Sequence, residues 1–284
     1  ATLNVNPVLF DGNLKINLNI KGILQNQRVA DQGAIFTATT FDPTQPVLDP
    51  NSPFGGYWQY LDFASNPAVL GSHFNPVSKL EQIDNRSENL RSIGNIQLDY
   101  KLHFFPDIRV NLNTGYDIAK SSWSYFTPAD YFPVNIANGS NSSGDPGSKS
   151  ENVFLEATLN YAKEIKSIKS KINALAGYSY NDFKTTNYFY PGFDVDGNLQ
   201  GSEPNFNFDI PQNTLISYFG RLIYTFDEKY ILTGTVRTDG SSRFSKNNRW
   251  GVFPSVSAAW KISDEKFLEN SKTISNLKLR LGYG

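Results

Sequence analysis

The chain has 284 residues, and its 26 Lys and Arg nearly balance 27 Asp and Glu to leave a net charge of −1. That balance gives no basic field to draw in nucleic acid. The absence of cysteine excludes disulfide frameworks, thiolate metal sites and a cysteine nucleophile. Only two histidines are present, His73 and His103, so histidine-based metal or acid–base chemistry is not expected.

No segment approaches the roughly 18 consecutive apolar residues of a transmembrane helix. The dominant hydrophobic period is two. In chain order, strands are expected at 1–9 and 14–29, where Leu14, Ile16, Leu18 and Ile20 alternate with Lys15, Asn17, Asn19 and Lys21. Further strands are expected at 90–103 and 108–126, the second with Ile108, Val110 and Leu112 against Arg109, Asn111 and Asn113. The series continues at 150–164, 171–188, 214–227, 230–244, 251–263 and 277–284. Short connections (FDGN, FFPD, KSIKS, DEK) alternate with long ones at about 30–89, 127–149 and 189–213 that are rich in Gly, Pro, Asn and Ser. The 265–276 connection, EKFLENSKTISN, has room for a helical turn.

Short turns at one end and long loops at the other are the arrangement of an up-and-down transmembrane β-barrel. The strands also exceed the mean globular strand of about 5–6 residues, while a tilted strand of roughly 9–11 residues crosses a bilayer. In that reading Tyr230, Leu232, Gly234 and Val236 face lipid, as do Val252, Val256, Ala258 and Trp260. Trp260, Tyr230, Tyr161, Tyr224 and Phe226 form an aromatic girdle near the short turns, and Tyr116, Tyr178 and Tyr180 mark the opposite one. Arg237 onward emerges on the long-loop side, where Asp239-Gly240 has the form of a hairpin turn. A soluble carbohydrate-binding β-sandwich is the alternative that the period of two leaves open.

The block Arg237–Leu268, RTDGSSRFSKNNRWGVFPSVSAAWKISDEKFL, is more specific. It resembles the most recognisable block of SusC/RagA-like TonB-dependent outer-membrane transporters. The residues that carry the likeness include Arg237, Asp239, Gly240, Arg243, Trp250 and Pro254. Stretches at 1–22, 38–47, 75–81, 93–117 and 274–284 extend it over nearly the whole chain. The resemblance implies about ten strands of a 22-stranded, plugged barrel. The N-terminal plug and the last strands would lie outside the chain, which is read as an interior segment.

The resemblance also implies a Gram-negative, Bacteroidota-type outer membrane with the long loops extracellular. It implies nutrient import, of an oligosaccharide or a peptide, powered through TonB and assisted by a SusD-like lipoprotein. A structural subunit of a larger outer-membrane complex is the other role a barrel of this kind could fill. No cofactor, metal or catalytic residue is expected.

Candidate ligand or lid contacts sit in the long loops. Tyr57, Trp58 and Tyr60 lie in FGGYWQYLDF, where aromatic faces between polar groups suit sugar rings or peptide side chains. Trp123, Tyr125, Tyr131 and Phe132 surround the next loop. DVDGN at 194–198 fails the spacing of a calcium loop and reads as a tight turn. The Arg237–Asp239–Arg243 cluster reads as a solvated ion network. The NGS and NSS triplets at 138–143 read as a flexible loop tip.

Overall fold

The computed structural model describes residues 1–62, 69–70, 74–131, 138–268 and 273–284. His73, Phe132 and part of the 265–276 connection lie outside these residues. Ten strands carry the fold: β1 (Thr2–Val5), β2 (Leu14–Arg28), β3 (Asp84–Lys101), β4 (Ile108–Thr127) and β5 (Ser140–Ile165). They continue with β6 (Ser170–Tyr188), β7 (Gln212–Phe226), β8 (Tyr230–Ser241), β9 (Trp250–Lys261) and β10 (Lys278–Tyr283). Each pairs antiparallel with the next in sequence, and β1 and β10 are the edges. The short strands Val8–Leu9 and Phe208–Asp209 add to the sides of β2 and β6.

The register sets the apolar positions of neighbouring strands side by side. Leu18 faces Ile96, which faces Thr114, then Leu155, Tyr180 and Ile216. Further along, Leu222 faces Gly234, which faces Val256 and then Tyr283. A slip of one residue on any strand would turn its apolar set over, so this face fixes the pairing.

That apolar face is bare. Leu159, Leu222, Leu232, Val256 and Leu281 are all exposed. Among the described residues the buried apolar side chains are Ala34, Tyr57, Ile83 and Tyr131, none of which lies in the apolar ladder. A sandwich would press a second sheet onto this face, whereas the other described sheets are two-stranded fragments. The face is built to meet an apolar medium.

The turn-end aromatics form a continuous row on it. Phe226 stacks on Tyr230 at 6.1 Å, and Tyr230 on Trp260 at 6.4 Å. Tyr224 shares a hydrogen bond with Ser170 at 2.9 Å. At the other end Tyr178, Tyr218 and Trp250 lie in line at 5.3 and 6.0 Å. Tyr116 on β4 and Tyr180 on β6 lie on the same apolar face, and Tyr218 and Trp250 extend the aromatic row from Tyr178.

Asp239-Gly240 is not the turn its dipeptide suggests. Both residues lie inside β8, and the chain reverses over residues 242–249. Gly240 is in the ladder because Trp250 crosses it: a Cβ there would lie 2.9 Å from the indole. Pro254, which has no N–H to give, lies where β9 pairs with β8 and β10 does not reach.

Candidate substrate-binding surface

The second face of the sheet is polar and internally tied. Asn19 donates to Asn95 at 3.4 Å and Asn95 to Asn113 at 3.2 Å, a ladder running across β2, β3 and β4. Arg91 grips Asp117 through two hydrogen bonds of 2.7 and 2.5 Å. Arg237 belongs to this face rather than to the loop beyond. Its Nε donates to Asp239 at 2.8 Å, its Nη2 donates to the buried Ser217 at 3.1 Å, and its guanidinium lies 5.7 Å over the Phe219 ring. Arg243 does not join the pair: it makes no ion pair among the described residues, and its backbone N–H donates to Ser241.

Aromatic rings interrupt the polar face where glycine leaves room. Phe219 overlies Gly177, whose Cβ would come within 2.2 Å of the ring, and Phe154 overlies Gly115 at 2.8 Å. Neither pairing is visible along the chain, because strand register and not proximity in sequence brings the partners together.

The first long connection folds into a unit of its own on the long-loop side. Its helices are α1 (Gly33–Thr40) and α2 (Pro76–Glu81). Asn75 caps α2, accepting from Val77 and Ser78, and donates its amide to the carbonyls of Val47 and Trp58 at 2.7 and 3.0 Å. It is 1% exposed, the anchor of the unit. Arg28, the last residue of β2, donates to the carbonyls of Leu80 and Ile83 and ties α2 to the sheet. Residues 47–58 double back through Gly55 and Gly56, whose positive φ values of 64° and 80° glycine adopts without strain.

The structure separates the expected loop aromatics. Trp58 and Tyr60 meet at 4.6 Å, and Phe41 packs edge-on against both at 5.8 and 5.4 Å. These two rings line a cavity of about 450 Å³ with Asp49, Asn51, Phe54 and Gln59. Tyr57 turns away and donates to Glu81 at 2.5 Å, a bond that pushes its hydroxyl up to about 12. Tyr131 is buried, and burial raises its hydroxyl far above the usual range, with Asp31 adding to the effect. It is packing, not surface. Trp123 lies over Gly144 and Gly147 and lines a different recess with Arg28, Arg86 and Glu88. Gln59 and Asn75 lie within stretches the sequence marks, FGGYWQYLDF and 75–81, but nothing along the chain signals that they bond to each other.

Asp194 closes a tight turn as expected, accepting from the N–H groups of Asp196 and Asn198 at 3.0 and 2.8 Å. Hydrogen bonds to this carboxyl, those from Asn198 foremost, hold it below the usual carboxylate range.

A two-faced antiparallel meander with loops gathered at one end is shared by many barrels; the family is decided by comparison. The profile described as "TonB dependent receptor-like, beta-barrel" matches residues 26–284. The chain belongs to this family. The SusC TonB-dependent receptor of Bacteroides thetaiotaomicron is 35% identical over 306 aligned residues, which take in all of this chain and 29% of that protein. A TonB-dependent receptor of Formosa agariphila is 30% identical, again over all of this chain and 29% of its own length.

The chain thus spans under a third of the curated relatives it matches. Among solved structures, the RagAB peptide transporter superposes with a TM-score of 0.70 at 20% identity, covering 99% of this chain and 32% of that one. The RagAB importer in its closed-closed state gives 0.71 at 21%, over 99% of this chain and 32% of that one. These show a shared fold. In a TonB-dependent barrel the apolar face meets lipid and the polar face lines the lumen.

Proposed function

We propose that the whole protein is an outer-membrane importer of the SusC/RagA type, in which this chain supplies lumen wall and long extracellular loops. The carrying observation is the bare apolar face of a ten-strand meander within a TonB-dependent receptor barrel. About ten strands of a 22-stranded barrel with a plugged lumen fit the share of its relatives that the chain spans. The mechanism is capture at the loop side, passage along the Asn- and Arg-lined polar face and release once TonB pulls the plug. A SusD-like lipoprotein completes the mouth. The cargo is an oligosaccharide or a peptide, the latter being the cargo of the RagAB peptide transporter.

The test is deletion of the gene in its native bacterium, followed by uptake of labelled oligosaccharides and peptides. Loss of uptake of one class, with the same loss on removing TonB or collapsing the proton gradient, is the expected result. Unchanged uptake of every class, with the protein recovered in a stable complex of other outer-membrane subunits, would make it structural instead.

A further inference from the structure

We propose that the cavity bounded by Trp58, Gln59 and Tyr60 in the first long connection is a binding subsite for a neutral saccharide. The proposal rests on the reading above that the long connections face the outside of the cell.

Four observations carry it. First, the two rings are fixed before any ligand arrives. Phe41 packs edge-on behind both Trp58 and Tyr60, and the Trp58 carbonyl is held by the buried Asn75 amide. Rigid aromatic faces bind with little loss of side-chain entropy.

Second, Gln59 is 6% exposed and lines the cavity, and its Nε2 has no hydrogen-bond partner among the described residues. Its Oε1 is already engaged, accepting from the Asn75 N–H at 3.0 Å, so the amide cannot turn over to find one. A buried donor left unpaired is costly, and a ligand oxygen at the wall would satisfy it.

Third, the rim supplies further polar groups. Asp49 spends one carboxylate oxygen on the Asn51 N–H at 3.0 Å and keeps the other, and Asn51 itself is exposed. Fourth, no Lys or Arg lines the cavity among the described residues, so no described side chain there neutralises an anion. A ligand with a flat C–H face, hydroxyls that both accept and donate, and no charge meets all four conditions. A pyranose ring has these properties. The volume of about 450 Å³ lies in the range of small-ligand sites.

The test uses the full-length protein, purified from its native membrane with whatever partners accompany it. Calorimetric titration is run with maltohexaose, cellohexaose and mannohexaose as neutral probes, hexagalacturonate as an acidic one and a Lys-rich hexapeptide as a cationic one. The expected result is binding of at least one neutral hexasaccharide, weakened roughly tenfold or more by Trp58→Ala and by Gln59→Glu, the latter keeping the acceptor and losing the donor. The exposed Asn51→Ala variant, which disturbs no buried contact, should weaken it several-fold and serves if either of the others fails to assemble.

Binding of no neutral probe, binding of the peptide alone, or binding indifferent to all three variants would overturn the proposal. Uptake in cells is read in parallel. Energy-dependent uptake with loop-indifferent binding removes the subsite and leaves transport standing. Loop-dependent binding without uptake does the reverse.

Discussion

Tyr230 and Trp260 face each other across β8 and β9 with their rings only 14° from parallel, and both donate to the same oxygen of Glu265, at 2.6 and 3.0 Å. One carboxylate beyond the end of β9 thus orients two girdle residues. The bond from Tyr230, then that from Trp260, holds the Glu265 carboxyl below its ordinary value. A carboxylate depressed in the folded state stabilises fully above its unfolded pKa of about 4.3 and stops doing so as pH falls through the folded value. Glu265→Gln should therefore lower the thermal unfolding temperature of the full-length protein at pH 7. The gap between variant and wild type should close in acid, as read by heat-modifiable gel migration. An equal gap at both pH values would mean that the charge is not what orients the pair.

The two faces can be told apart by adding a charge to each. Leu222 lies mid-strand on the apolar face and Thr233, on the next strand, on the polar face. An arginine at a lipid-facing mid-bilayer position costs about 2–4 kcal/mol. Leu222→Arg should lose about that much in urea titrations of vesicle-folded protein, and Thr233→Arg less than about 1 kcal/mol. Equal losses would leave the faces undistinguished, and a larger loss at Thr233 would reverse their assignment.

Gly177 is required by a ring, not by a turn. An alanine methyl would come within 2.2 Å of Phe219, which lies under Arg237. Overpacking of this kind costs about 1–3 kcal/mol. Gly177→Ala should reduce folding yield and stability by that order, and adding Phe219→Ala should restore most of it. A double variant no better than the single would place the strain elsewhere.

Asn75 serves four backbone groups with one side chain. Asn75→Ala strands two carbonyls and two N–H groups and should cost the loop unit about 3 kcal/mol. Limited proteolysis should then cut between residues 42 and 60 while the sheet stays intact. Uncut loops would show that α1 and α2 hold the unit without it.

Strand existence and facing were legible wherever one side of a strand meets an apolar medium, because only there must the sequence alternate. Leu14–Ile20 and Leu277–Leu281 read directly for that reason. The expected 90–103 begins six residues earlier, at Asp84, and the expected 150–164 ten residues earlier, at Ser140. DNRSEN and SNSSGDPGSK carry no alternation; residues distant in sequence place them, Trp123 lying over Gly144 and Gly147 and Tyr190 donating to the Pro146 carbonyl. The candidate site was legible only in part. Aromatic content marked Trp58 and Tyr60, but their partner Phe41 and the orphaned amide of Gln59 are products of the loop's fold. Tyr57 and Tyr131 have the same composition signal, yet one is bonded to a carboxylate and the other buried.

From β5 to β8 and β9 the strand length falls from 26 residues to 12. Tight hairpins such as Ile165 to Ser170 and Phe226 to Tyr230 level the strands at the turn end, so the inequality falls at the other. At roughly 3.3 Å per residue, β5 runs about 45 Å further along its own direction than β8 or β9. The rim is therefore lopsided, with a stiff backstop on one flank and a low sill on the other. In the proposed importer, cargo arriving over the sill would meet hydrogen-bonded backbone, and tip insertions could reshape that meeting without moving the wall behind it.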